Sequence, residues 1–299
     1  MSQQNNNLGI LLMIATTFVF AMQDGISRHL AENYNALMVV MIRYWFFAAF
    51  VIAYAARQKG SFAATIRTEQ VFVQILRGCI LAGEIVVAVL AFVYLGLIET
   101  HAIFASYPLM VTALAGPFLG ETIGWRRWLA IGVGFVGMLI ILQPGASVFS
   151  PYSLIAVCSS FMFAVYGILT RYVARKDAAI TSFFWTGVSG CVVMTGIGLF
   201  YWEPMTGPDW IWMGILCVTG ATGHFLLIKT LEVAEASAVQ PFSYFQLVFV
   251  SVIAVTVFSE SVETHVILGA TIIVVAGLFT FWRERIRAGK QARLEAVST

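Results

Sequence analysis

Charge is what this chain has least of. Only 11% of its 299 residues are Asp, Glu, Lys or Arg, while 60% are hydrophobic. A soluble domain carries about 25% charged residues, so a water-soluble globule of this length is excluded. Cysteine is scarce. Cys79, Cys158, Cys191 and Cys217 sit inside apolar stretches and read as small buried hydrophobes, not as a disulfide framework. His29, His101, His224 and His265 are scattered, none at metal-ligand spacing from Cys, Asp or Glu, so neither a catalytic metal nor another cofactor is expected. No Walker A sequence occurs, which argues against ATP hydrolysis. No Gly-x-Ser-x-Gly elbow marks a serine hydrolase. A net charge of +2 points to no nucleic-acid partner. The residues before the first apolar run include no Lys or Arg, and that run reads as a first membrane helix rather than a cleaved signal peptide.

What the chain does have is ten apolar segments: 8–30, 36–55, 71–94, 100–119, 125–143, 152–173, 178–201, 210–229, 237–258 and 264–282. Each is about as long as a membrane-spanning helix, which takes roughly 20 residues. The residues left between them form no extramembrane domain. The expected fold is therefore an all-α integral membrane protein with ten transmembrane helices, its main partner the lipid bilayer. If the connections alternate sides, fourteen of the 17 Lys and Arg fall on the side of the N-terminus. Arg28 alone lies opposite, and Arg43 and Arg77 lie within segments. The positive-inside rule then places both termini in the cytoplasm, together with a basic tail over 283–299.

The chain repeats itself. Residues 15–30 and 158–173 align with Phe18 over Phe161, Phe20 over Phe163, Ala21 over Ala164, Ser27 over Thr170 and Arg28 over Arg171. The fourth and ninth segments end alike, at Gly120-Glu121-Thr122 and Ser259-Glu260-Ser261. This divides the chain into repeats over 8–143 and 152–282. Five helices per repeat is an odd number, so the second copy is inverted. Inverted repeats mark many secondary transporters, with cargo held near the midplane where the halves meet.

Gly132-Val133-Gly134-Phe135-Val136-Gly137 fits a dinucleotide-binding pattern, but it lies mid-span. There, small residues serve close helix packing. Ionisable groups inside spans are the stronger local signals, because charge in hydrocarbon is costly. Glu84 sits at the middle of the third segment, Asp24 beside Gln23 in the first, and His224 in the eighth. Glu84 reads equally as a cavity or proton site and as a carboxyl held by a neighbouring helix; His224 reads first as a packing or cavity group. Arg43 and Arg77 lie nearer span ends, within snorkelling reach. Pro108 and Pro241 interrupt the fourth and ninth segments. They read as bending or gating positions of a substrate site, or as ordinary kinks. The groups proposed to line such a site are Gln23, Glu84, Tyr107, Tyr166, Trp185, His224, Tyr244 and Gln246, a set suited to a zwitterion with an apolar or aromatic side chain. The other tryptophans near span ends suit the membrane interface.

The order of Arg43, Ser106-Tyr107-Pro108 with Gly120-Glu121, and Ala236-Ser237-Ala238-Val239-Gln240-Pro241-Phe242 with Glu260 resembles the drug/metabolite transporter superfamily. The likeness is to its ten-helix members with two EamA-type repeats, and it covers the chain from about Leu8 to Trp282. Within that superfamily the chain looks most like YddG-type exporters of aromatic amino acids. The resemblance implies a secondary transporter that is not an enzyme, sits in the bacterial inner membrane and exports small metabolites, most of all amino acids, by alternating access. It also implies that Arg43 is structural. A drug or other metabolite carrier of the same fold, a channel, and a membrane-embedded transferase are the rival readings.

The charge asymmetry yields a test. Single cysteines introduced beside Lys176 should resist an impermeant thiol reagent in intact cells, while those beside Pro208 should react; reaction at Lys176 would reverse the assigned topology.

Overall fold

The computed structural model describes residues 6–57, 62–120, 123–143, 150–234 and 239–298. The expected loop at Lys59 and the Glu121 and Ala236–Ala238 parts of the motifs lie outside the described residues. The described chain is helical: α1 (Asn6–Asn33), α2 (Ala36–Ala56), a short α3 (Phe62–Ile66), α4 (Val71–Tyr94), α5 (Leu97–Phe104), α6 (Tyr107–Leu119), α7 (Trp125–Leu142), α8 (Ser153–Val173), α9 (Ala179–Gly198), α10 (Gly207–Val233), α11 (Phe245–Val257) and α12 (Thr264–Ser298). Among the described residues nine stretches are long and apolar enough to span a bilayer, with α5 and α6 together forming one of them. A tenth, Phe242–Val257, is apolar but shorter.

The packing of these helices is symmetric. α1 lies on α10 as α4 lies on α8; α1 meets α11 as α8 meets α6; α2 pairs with α9, and α7 with α12. Exchanging α1 with α8, α2 with α9, α4 with α10, the α5–α6 pair with α11, and α7 with α12 maps this set onto itself. The backbone repeats the correspondence at the matched segment ends. Gly120 (φ 71°) and Ser259 (φ 54°) both adopt the left-handed conformation. A serine rarely accepts it, because its Cβ crowds the backbone. The glycine pattern in α7 serves packing, as expected. A Cβ at Gly137 would come 2.8 Å from the Gly269 carbonyl oxygen of α12, although Gly132 faces nothing within 4 Å. The outward surface is apolar, with Phe72, Leu129, Val192, Val248 and Ile267 among its exposed side chains. In water such a surface would aggregate; in hydrocarbon it is the matching one.

Several expectations need correction. The fourth segment begins at Leu97 and is two helices, broken at Ala105–Ser106. Pro108 falls at the start of α6, where a missing N–H leaves no helical bond unmade. Pro241 starts a 3₁₀ turn, Gln240–Tyr244, that leads into α11. Counted back from the matched glutamates, Pro108 lies 13 residues before Glu121 and Pro241 lies 19 before Glu260. The two prolines are therefore not equivalent positions.

Arg77 does not snorkel. It is 1% exposed, and its guanidinium is held by the helices around it. Nε donates to Gln74 Oε1 (2.7 Å) and Nη1 to Thr170 Oγ1 (2.9 Å), while Nη2 donates to the Ser182 carbonyl and Thr186 Oγ1. Gln74 passes the network on to Asp177 (2.7 Å). A buried charge with its donors filled ties α4 to α8 and α9. Removing one partner of a buried charged network costs about 3–5 kcal/mol. Arg77→Met should therefore lower the thermal midpoint of the purified protein in detergent by several degrees; an unchanged midpoint would show that the network is dispensable.

Candidate functional site

The polar residues that the sequence places mid-span converge between the two repeats. From the first repeat come Gln23 and Asp24 on α1, Arg43 on α2, Glu84 on α4 and His101 on α5. Ser159 on α8, Gly220 and His224 on α10, and Gln246 on α11 come from the second. Asp24, Arg43, Glu84 and His101 are buried and His224 is half-buried. Asp24 Oδ2 accepts from Gln246 Nε2 (2.9 Å) and contacts His101 Nε2 (3.1 Å), so one carboxylate joins both halves. His101 Nδ1 lies 3.0 Å from the Leu97 carbonyl oxygen. The ring thus lies between an oxygen at each nitrogen, which fixes its plane. Glu84 Oε1 accepts from Ser159 Oγ (2.7 Å), again across the repeats.

Arg43 acts electrostatically with both Asp24 and Glu84, yet no ion pair to either falls within 4.0 Å. Its side chain lines a narrow cavity with Tyr44, Phe47, Cys217, Gly220 and His224. The clear space there is about 10 Å³, room for roughly one water molecule. His224 forms the aromatic wall, stacked on Phe47 (5.6 Å between centroids) and edge-on to Phe20 (5.4 Å). A second aromatic group, Phe104, Tyr107 and Phe163, has centroids 5.0–5.2 Å apart. The central space as it stands is too small for an organic molecule.

At the Arg28 end the bundle is tied shut. Arg28 Nη1 pairs with Glu260 Oε1, and the guanidinium lies 4.3 Å over the Phe258 ring. The same carboxylate accepts from the backbone N–H groups of Leu97 (2.8 Å) and Ile98 (3.0 Å), the free donors at the start of α5. A carboxylate is favoured there by the helix dipole as well. Gly96 makes the approach possible: its φ is +95°, and a Cβ would sit 2.9 Å from Glu260 Oε1. One glutamate thus clasps α1, α5 and the α11–α12 connection. Around it lies a polar vestibule of about 480 Å³, lined in part by Glu99 and Glu263.

Of the residues proposed from sequence, Gln23, Glu84, His224 and Gln246 gather at the centre. Tyr107 joins the second aromatic group. Tyr166 lies instead beneath Arg77, 5.3 Å from its guanidinium. Trp185 donates Nε1 to the Ile66 carbonyl (3.0 Å), away from the centre, because α3 folds back on α9. The Tyr244 hydroxyl is buried without a hydrogen-bond partner, abuts Gly277 on α12 and interacts electrostatically with Tyr107. His101 and Arg43 were missed as site residues. His101 seemed isolated because its partner Asp24 is 77 residues away. Arg43 carried a signal, a charge inside a span, but the sequence does not say which buried arginine finds its partners. Among the described residues no group of three or more His, Cys, Asp or Glu gathers as a metal site.

Membrane-length helices folded as two inverted halves around a central polar cluster make a carrier of small molecules. Residues 7–143 and 150–282 each match the EamA-like transporter family, and the chain belongs to that family. It is a transporter of small metabolites within the drug/metabolite transporter superfamily, not an enzyme, and a multi-pass protein of the bacterial inner membrane. Among its relatives is a protein named S-adenosylmethionine uptake transporter from Rickettsia bellii (strain RML369-C), 27% identical and matched over 95% of this chain and 97% of its own. Another is named Riboflavin transporter, from Vibrio cholerae serotype O1 (strain ATCC 39315 / El Tor Inaba N16961), 25% identical over 93% and 94%. A solved crystal structure shares the fold with a TM-score of 0.62 at 13% identity, over 94% of this chain and 99% of its own.

The clasp is open to test. With Cys79, Cys158 and Cys191 replaced by Ala, Cys217 reports opening of the central cavity. Glu260→Gln should speed its modification by a thiol reagent about tenfold in detergent, because a charge-assisted bond of about 1.5–3 kcal/mol is lost. An unchanged rate would mean that the clasp does not hold the closed form.

Proposed function

We propose that this carrier moves metabolites joining an α-amino-acid head to an aromatic or heteroaromatic group. Aromatic amino acids and S-adenosylmethionine are the two forms to test. The observation that carries the reading is the central cluster: the Arg43 guanidinium with the Asp24 and Glu84 carboxyl groups, beside the rings of Phe47 and His224 and lined by both repeats. A zwitterionic head needs both signs, and a flat ring stacks on such walls. The name of the Rickettsia relative supports the reading, since S-adenosylmethionine carries both parts. Riboflavin, in the name of the Vibrio relative, shares only the ring. Export is implied by the resemblance to amino-acid exporters, uptake by the name of the Rickettsia relative. In this reading the cargo gradient sets the direction across the inner membrane.

Purified protein in liposomes should show saturable counterflow of radiolabelled L-tryptophan or S-adenosylmethionine, each competing with the other. The same vesicles under an imposed pH gradient read proton coupling. If neither compound moves or competes, the amino-acid reading fails and another metabolite or a drug takes its place. Flux that rises linearly without saturation would identify a channel.

A further inference from the structure

Two arginines are buried in this membrane protein, and their surroundings differ. Arg77 fills its donors with side-chain and carbonyl oxygens of α4, α8 and α9. Arg43, 9% exposed, makes no hydrogen bond among the described residues. Its side chain, with five N–H donors, lines a space with room for about one water molecule. Asp24 and Glu84 act on it without an ion pair within 4.0 Å; Asp24 Oδ2 is bonded to Gln246 and His101, and Glu84 Oε1 to Ser159. The guanidinium thus has no hydrogen-bond partner among the described residues. On the same face of α10 lies a second unsatisfied group. Gln23, 5% exposed, has no donor for Oε1. The two converge on Gly220, where a Cβ would stand 3.2 Å from Arg43 Nε and 3.3 Å from Gln23 Oε1. Glycine at that point leaves the backbone bare between an unpaired cation and an unpaired acceptor.

We infer that Arg43 is the carboxylate-reading residue of the carrier and that Gln23 Oε1, across Gly220, accepts from the ammonium group of the same cargo. The assignment rests on the amino-acid-head reading above and gives it atoms. A planar guanidinium meets a carboxylate with two parallel hydrogen bonds, which an ammonium cannot do. An acceptor beside it fixes the head in one orientation, with the ring directed to the Phe47 and His224 wall. Arg43 is in this view a specificity residue, and not the structural group that the family resemblance implies.

The test compares a carboxylate with its neutral amide in proteoliposomes. L-tryptophan and L-tryptophanamide compete against counterflow of radiolabelled S-adenosylmethionine and, separately, of radiolabelled L-tryptophan. The wild type should prefer L-tryptophan by at least about tenfold, the scale of a hydrogen bond to a charged group. Arg43→Gln should bring that preference to within about twofold of unity, and Arg43→Lys should leave it between the two. If Arg43→Gln does not yield folded protein, Arg43→Lys is decisive, since it keeps the charge and loses the fork. A well-folded Arg43→Lys with the full wild-type preference would overturn the assignment, as would Arg43→Gln with that preference, or a wild type indifferent to the carboxylate. In the two variant cases the carrier still moves its cargo and the proposed amino-acid reading stands; a wild type indifferent to the carboxylate also removes the zwitterion argument for that reading. A wild type that moves neither labelled compound overturns both.

Discussion

Charge is expensive where there is no water, and the rest of this structure follows from that cost. An ionised side chain within the hydrocarbon span survives only with partners or in a polar cavity. Arg77 takes the first course, filling its donors from three helices. Asp24 and Glu84 are bonded across the interface between repeats, so the cost of burying them becomes a reason for the halves to meet in one register. Arg43 is the exception. It makes no hydrogen bond among the described residues, an arrangement that in the proposed assignment serves a cargo arriving with its own carboxylate.

The inverted fold turns this chemistry into a carrier. The two halves share backbone conformation even where their residues differ, as Gly120 and Ser259 show, so opening at one end has a geometric counterpart at the other. The Glu260 clasp holds the Arg28 end by contacts that lie partly in water, with Arg28 and Glu260 each only partly buried. Contacts of this kind are cheaper to break than buried ones, because solvent replaces them. The central cavity is too small for cargo while the clasp is made. In the proposed carrier, binding is coupled to parting of the helices, as alternating access about a midplane site requires.

The span count, the inverted repeat and the membrane setting were legible in the sequence because they rest on local and additive properties: hydropathy over about 20 residues, cation asymmetry and a repeated register. Glu84, Gln23, His224 and Gln246 were legible as site candidates for a related reason, since polar groups in apolar helices are conspicuous. Trp185 was misplaced because an aromatic residue mid-span carries no mark of which way it faces; its bond to the Ile66 carbonyl, where α3 folds back on α9, decides that. The prolines misled for the same reason: their effect depends on whether they start a helix or interrupt one.

Composition and periodicity by themselves determined that this is a ten-span, two-repeat membrane protein with polar groups at mid-depth. Only the tertiary structure decided which of those groups meet. It joined Asp24 to His101 and Gln246, closed Glu260 over the start of α5, and gave hydrogen-bond partners to Arg77 but, among the described residues, none to Arg43. The physical reason is that hydrophobic burial is a sum over single residues, whereas a hydrogen bond is a relation between two. In this chain the residues that form those relations stand as far apart as Asp24 and Gln246, brought together only when the second repeat folds back, inverted, against the first.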